Sequence, residues 1–188
     1  MATAFLLTGP PGVGKTTLLR QLLRTLELPA DGFFTAEICE GDRRAGFAIE
    51  DLAGRRGVLA RMGGAPGARG PRVGRYRVDV ADLEAVGVAA LERALEGAAL
   101  IVIDEIGKME ACSARFRAAV ERALAAPGAV IAGTILRAPH PWIDRVKAHP
   151  AVTLVPLSAA TRAATLARLV DRVRAALAAR GAGPGGRP

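Results

Sequence analysis

The sequence predicts an α/β fold: a mostly parallel β-sheet with helices on both faces and a small antiparallel insertion. Three observations predict it. Short, continuous apolar runs alternate with stretches whose apolar residues recur every three or four positions, the pattern of buried strands exchanged with amphipathic helices. The first apolar run passes through a Gly/Pro turn straight into the first helical stretch, the strand–loop–helix order of α/β units. Residues 32–80 break the alternation with successive β-leaning runs around turn signals.

The elements follow in order. Thr3–Thr8 (TAFLLT) is a short buried strand ending in Gly-Pro-Pro-Gly. Lys15–Leu26 places Leu18, Leu19, Leu22, Leu23 and Leu26 on one helical face, and Pro29 stops the helix. Residues 33–40 and 44–52 read as strands joined by Glu40-Gly-Asp-Arg43, a hairpin signal. Residues 58–62 and 75–80 read as two further short strands, with a Gly/Pro/Arg-rich loop over 63–74 between them. Helical periodicity resumes over 83–95. Residues 99–103 form a fully apolar strand ending in Asp104-Glu105, and a helix over 114–124 leads to a strand over 129–135. A short helix over 142–147, a strand over 152–157 and a long helix over 161–179 complete the pattern. Residues 1–180 are expected to form one domain with a β-rich insertion at 32–80, and GAGPGGRP at 181–188 a disordered tail.

Composition narrows the function. Apolar residues make up 51% of the 188, enough to bury a full core. The formal charge of +8 invites a nucleic-acid partner, but its distribution is uneven. Residues 41–77 carry +6 through nine arginines and residues 168–188 carry +4, whereas the other two segments carry −1 each. Aromatic residues are only 4%, and only Phe47 and Tyr76 lie within the arginine cluster, whereas single-strand binders interleave stacking rings with charge. A nucleic-acid partner is therefore possible but not favoured. No apolar run approaches the roughly 20 residues that span a bilayer, and the N-terminus shows no secretion signal. Two distant cysteines, Cys39 and Cys112, and two histidines support neither a disulfide framework nor a zinc site, and a reducing cytoplasm is the simplest setting. Oligomeric state is left open.

The chemistry sits in two segments. Gly9-Pro10-Pro11-Gly12-Val13-Gly14-Lys15-Thr16 matches G-x-x-x-x-G-K-[ST], the phosphate loop, between a strand and a helix. Its glycines let successive N–H groups turn toward one phosphate, and the helix N-terminus adds positive potential. Lys15 supplies a point charge for the β/γ-phosphates, and the Thr16 hydroxyl is placed to hold Mg²⁺. This chain uses 23 Arg and only three Lys, so a lysine here is not an accident of composition. In the second segment, Leu100-Ile101-Val102-Ile103 delivers Asp104 to the edge of the sheet where such folds bind ligands. Asp104 is the second candidate for Mg²⁺. Glu105, beside it, is placed to activate a water in line with the γ-phosphate, which points to hydrolysis.

Weaker candidates lie downstream. Thr134 is a candidate contact to the γ-phosphate or its attacking water, with a satisfied buried hydroxyl as the alternative. Arg162 reads either as a nucleotide contact or as a surface arginine, and Lys108 either as a site residue brought round by Gly107 or as part of a plain loop. Trp142, the single Trp, reads either as a base-stacking ring or as a core anchor.

Beyond the phosphate loop the chain resembles the small nucleoside-triphosphatase family, known from thermophile nucleoside-triphosphate phosphohydrolases and the human cancer-related nucleoside-triphosphatase. The resemblance spans about residues 4–175 and rests on GPPGVGKTTL, Gly32-Phe-Phe-Thr-Ala-Glu37, Arg44-Ala-Gly-Phe47, residues 54–60 (GRRGVLA), residues 74–78 (GRYRV) and, most narrowly, Ile103-Asp-Glu-Ile-Gly-Lys-Met-Glu110. It implies a core similar to RecA-like and AAA+ ATPases. It implies Mg²⁺-dependent hydrolysis of several nucleoside triphosphates, ATP and GTP among them, to diphosphate and phosphate. It also implies that the stretch Ile101, Val102, Ile103, Asp104, Glu105, Ile106, Gly107 and Lys108 joins Gly9–Thr16 in contacting the nucleotide. Two positions depart from the family: Thr161-Arg162 stands where Asn-Arg is usual, and Ala36 where an acid is usual, leaving Glu37 as the carboxylate there. Two other readings remain. A nucleoside or nucleotide kinase would use the arginine-rich 54–77 as a lid, and a nucleic-acid-dependent ATPase would use the basic segments.

Overall fold

The computed structural model describes residues 1–63 and 70–181. The centre of the expected 63–74 loop and all but the first residue of the expected tail lie outside the described residues. The strands are β1 (Thr3–Thr8), β2 (Ala30–Glu40), β3 (Arg43–Asp51), β4 (Arg56–Met62), β5 (Arg72–Val73), β6 (Tyr76–Val78), β7 (Leu100–Ile106), β8 (Val130–Ile135) and β9 (Val152–Pro156). The helices are α1 (Lys15–Leu26), α2 (Val80–Asp82), α3 (Ala89–Gly97), α4 (Ala114–Ala125), α5 (Pro141–Lys147) and α6 (Arg162–Gly181). A π-helical segment, Leu83–Val88, joins α2 to α3.

All nine strands belong to one sheet, ordered β5-β6-β4-β3-β2-β7-β8-β1-β9. From β2 to β9 the neighbours are parallel, and from β2 to β5 they are antiparallel. The segment read as an insertion is thus a wing of the central sheet. The hinge between the two halves is β2, which begins at Ala30 rather than at the expected residue 33. Its first four residues pair in parallel with Leu100–Ile103, and the remainder pairs antiparallel with β3. Gly32 makes that junction possible. At φ +136° its missing Cβ would stand 2.0 Å from the Val102 carbonyl oxygen, so only glycine lets β2 close on β7.

Arg93 of α3 fastens this junction. Its guanidinium donates to both oxygens of Asp31 at 3.0 and 3.1 Å and to Asp51 of β3 at 2.9 Å. Asp51 is 3% exposed, so its charge depends on that partner. Other boundaries move for local reasons. The helix expected from residue 83 starts at Val80 because Asp79 caps it, accepting from the Asp82 N–H at 3.0 Å, and this ends β6 at Val78. Strand β7 runs on to Ile106, past the expected end at 103, so both acids are strand residues.

The sheet separates two cores. Period-two alternation sends Ala4, Leu6, Ile101 and Ile103 to one face, where Leu83, Leu91, Phe116 and Trp142 cover them. Phe5, Leu7, Leu100 and Val102 point to the other, under Leu18 and Leu22 of α1 and Leu169 and Val173 of α6. Both faces are closed, as a parallel sheet requires. No described helix is long and apolar enough to cross a membrane.

Phe116 centres the first core, edge-on to Phe33 at 6.0 Å and to Trp142 at 6.3 Å between centroids. Phe116→Ala is expected to destabilise the fold by about 3–5 kcal/mol, read as a shift in the urea midpoint at constant slope.

Candidate functional site: a phosphate loop facing two carboxylates

The loop after β1 takes its shape from two glycines in the left-handed region, Gly12 at φ +75° and Gly14 at φ +92°. Gly14 also leaves room for Arg162, whose guanidinium would lie 3.1 Å from a Cβ there. Arg162 Nη2 donates to the Val13 carbonyl at 2.8 Å. Arg162 is therefore a brace behind the loop rather than a free surface arginine, and its Nε is buried without a partner. Lys15 opens α1, and its ammonium donates to the carbonyls of Gly9 at 3.1 Å and Pro10 at 3.3 Å, which holds the charge over the mouth of the loop.

Across from it stands Asp104, 1% exposed at the tip of β7. Its Oδ1 accepts from the Thr16 hydroxyl at 3.1 Å and the Thr134 hydroxyl at 3.0 Å, and its Oδ2 from the Thr35 N–H at 3.5 Å. Burial pushes the Asp104 carboxyl up from its ordinary pKa; the Thr16, Thr134 and Thr35 hydrogen bonds and the Arg20 charge oppose the shift. A buried carboxylate with only neutral direct partners, beside a threonine hydroxyl, is a hard oxygen donor set that suits Mg²⁺. Thr134 is a satisfied buried hydroxyl, and it also lines the cleft.

Glu105, next along β7, is half-buried and lines the cleft beside Lys15. Burial raises its pKa, the Lys15 ammonium pulls it back, and Asp104 adds to the rise. The cleft holds about 710 Å³ and is bordered by Gly12, Gly14, Lys15, Thr16, Glu105 and Thr134, with Glu37, Arg44 and Phe47 of the hairpin opposite. A second compartment of about 460 Å³ adjoins it through Pro11, Lys15, Glu105 and Leu136. Gly9 and Pro10 border that compartment, whereas Val13 packs partly against the α1/α6 core.

The structure corrects several expectations. Ile101, Val102, Ile103 and Ile106 are at most 2% exposed and fill the two cores, because a strand buried on both faces spends its side chains on packing. Their side chains do not reach the cleft. Gly107 is buried, and Lys108 is exposed and borders a different side of Glu105. Trp142 is 4% exposed and donates from Nε1 to Glu121 at 2.8 Å, which makes it a core anchor and removes it as a base-stacking ring. Of the nine arginines over 41–77, Arg44 borders the cleft, paired with Glu37 at 2.7 Å and lying over Phe47 at 5.4 Å. Arg56 and Arg61 pair with Glu50 and Glu40.

One acid escaped sequence reasoning. Glu110 is 4% exposed, and its Oε2 accepts from the Gly107 N–H at 3.1 Å, shaping the turn directly behind Glu105. Burial, then the charges of Glu105 and Asp104, push it up to about 8. The available signal was an acid in an otherwise apolar Met-Glu-Ala-Cys stretch.

A glycine-shaped loop at a helix N-terminus, set against the acidic end of a parallel strand one strand removed in the sheet, defines the class: this is a phosphate-loop nucleoside-triphosphatase fold. Within that class the chain belongs to the family described as NTPase, whose sequence pattern matches residues 4–170. It is 43% identical over 166 residues to the nucleoside-triphosphatase THEP1 of Thermotoga maritima, covering 88% of this chain and 92% of that protein. It is 46% identical over 144 residues to the Homo sapiens cancer-related nucleoside-triphosphatase, covering 72% and 76%. The crystal structure of THEP1 from Aquifex aeolicus superposes with a TM-score of 0.80 at 31% identity, covering 92% of this chain and 99% of that one. The solution structure of a human cancer-related nucleoside triphosphatase gives 0.77 at 37%, covering 93% and 98%.

Glu110 makes stability depend on pH. Its folded pKa of about 8 lies above the ordinary 4.5, so the folded state binds the extra proton between those values. Stability should fall as pH rises through that window and level off above it. Glu110→Gln should remove that slope and gain on the order of a few kcal/mol at pH 8. Denaturant midpoints of both proteins from pH 5 to 9 check this, and parallel curves would place the slope elsewhere.

Proposed function

We propose that the chain hydrolyses the terminal phosphoanhydride of nucleoside triphosphates, with Mg²⁺ and with broad base choice that includes ATP and GTP. The observation that carries this reading is the hydrogen-bonded cluster Thr16–Asp104–Thr134, with Glu105 one residue further along β7 in the same cleft as Lys15.

The loop amides and Lys15 bind and orient the β- and γ-phosphates. Thr16 and Asp104 would hold Mg²⁺, and the chemistry that ion supplies when bound is charge neutralisation on the phosphate oxygens. Glu105 accepts a proton from water as the water oxygen bonds to the γ-phosphorus, while the bond from that phosphorus to the bridging oxygen breaks and the diphosphate leaves. A carboxylate whose pKa is raised by burial is a better acceptor for that proton than a solvated one. Loop amides and Lys15 address the triphosphate and not the base, which supports broad base choice.

Lys15→Ala is expected to lower phosphate release about 100-fold or more. Glu105→Gln should keep nucleotide binding and lose roughly 10²–10⁴-fold in turnover. A phosphate-release panel over ATP, GTP, CTP and UTP, with Mg²⁺ and with chelator, tests the reading without any acceptor. A kinase would release almost no phosphate under these conditions, and a nucleic-acid-dependent ATPase would release it only when RNA or DNA is added. Unchanged turnover in Glu105→Gln would remove its role as base.

A further inference from the structure

Phosphoryl transfer gathers charge on the γ-oxygens and on the bridging oxygen of the leaving group, and enzymes of this class gain most from a guanidinium placed there. Among the described residues, three arginines border the phosphate loop or its cleft. Arg162 uses Nη2 on the Val13 carbonyl behind the loop, with its Nε buried, and Arg44 is held by Glu37 and the face of Phe47. The third is Arg137, on the connection from β8 to α5. It borders the compartment of about 460 Å³ formed with Gly9, Pro10, Pro11, Lys15 and Glu105. It is exposed, and its guanidinium makes no hydrogen bond or ion pair among the described residues.

The backbone beneath Arg137 is held with unusual care for an exposed connection. The Leu136 N–H donates to the Ile106 carbonyl at 3.1 Å, tying the start of the connection to the end of the strand that carries Glu105. Lys147 then donates to the carbonyls of Arg137 and Ala138, each at 3.3 Å, and to Asp144 Oδ1 at 2.9 Å. These three acceptors use all three donors of an ammonium, an arrangement that the planar fork of an arginine does not match. Asp144 Oδ2 in turn accepts from the His140 N–H at 2.9 Å. The backbone is therefore fixed while the side chain at its centre keeps its charge unpaired beside Lys15 and Glu105.

We propose that Arg137 is a catalytic residue supplied in cis, which contacts the terminal phosphate and stabilises the charge that develops as it is transferred. This inference rests on the hydrolase reading above. Lys147 acts through it, as a positioning residue.

The test compares wild type, Arg137→Ala, Arg137→Lys and Arg145→Ala, the last removing an equal charge from the exposed side of α5. Each protein is first matched by circular dichroism and melting temperature. Arg137→Ala should lower kcat for ATP about 100-fold or more, bind a non-hydrolysable ATP analogue within about twofold of wild type, and lose the gain in ADP affinity that aluminium fluoride confers. Arg137→Lys should recover part of the rate, and Arg145→Ala should keep the wild-type rate. Wild-type turnover in Arg137→Ala overturns the proposal, as does an equal loss of analogue binding and turnover. Absence of phosphate release from wild type itself overturns the hydrolase reading, and this inference with it. An unchanged Arg137→Ala rate beside an active wild type overturns this inference alone.

Discussion

The constraint on which the rest of the structure depends is the burial of one carboxylate. Asp104 lies at the tip of a strand with apolar packing on both faces, where a charge without partners would cost several kcal/mol. Its partners come from three other elements: Thr16 from α1, Thr134 from β8 and the Thr35 amide from β2. Each element must therefore arrive in register for the carboxylate to be tolerated. The same register brings Lys15 and Glu105 to one cleft. Structural and chemical demands coincide at this residue: the group hardest to bury is the one best suited to a divalent cation.

The sheet transmits that register outward. Gly32 permits the close approach of β2 to β7, and Arg93 ties Asp31 and Asp51 together across β2 and β3. The antiparallel wing is thus fastened at its root, and its hairpin side chains Glu37, Arg44 and Phe47 form the wall facing the phosphate loop. Behind Glu105, the turn is held by Glu110 accepting from Gly107. Around the cleft, Arg44 of the basic segment is already paired with Glu37, whereas the guanidinium of Arg137, from a different part of the chain, has no partner among the described residues.

Much of this was legible in the sequence wherever local pattern and global fold agree. Thr3–Thr8 and Lys15–Leu26 have the boundaries that the apolar run and the leucine spacing predict, because strand, glycine turn and helix are each specified within a few residues. The meeting of Lys15, Thr16, Asp104 and Glu105 was legible too, since two short motifs determine it, on parallel strands with β8 between them. What local pattern hides are interactions set by distant partners. Gly32 has no evident task until β7 is beside it. Arg162 reads as a surface residue until the Val13 carbonyl is found. Glu110 shows no role until the turn folds it inward. The apolar side chains of β7 fill the two cores, because a motif marks the stretch of chain near a ligand and not which of its side chains face it.

The bond from Arg162 to Val13 spans 149 residues of chain. The phosphate loop follows β1, whereas its brace opens α6. Strand β1, which launches the loop, lies between β8 and β9, both from the final third of the chain. Contacts of such long sequence separation are paid for in loop-closure entropy before they return stability. The phosphate-binding sequence is thus local, whereas the shape that positions it is closed by partners distant along the chain.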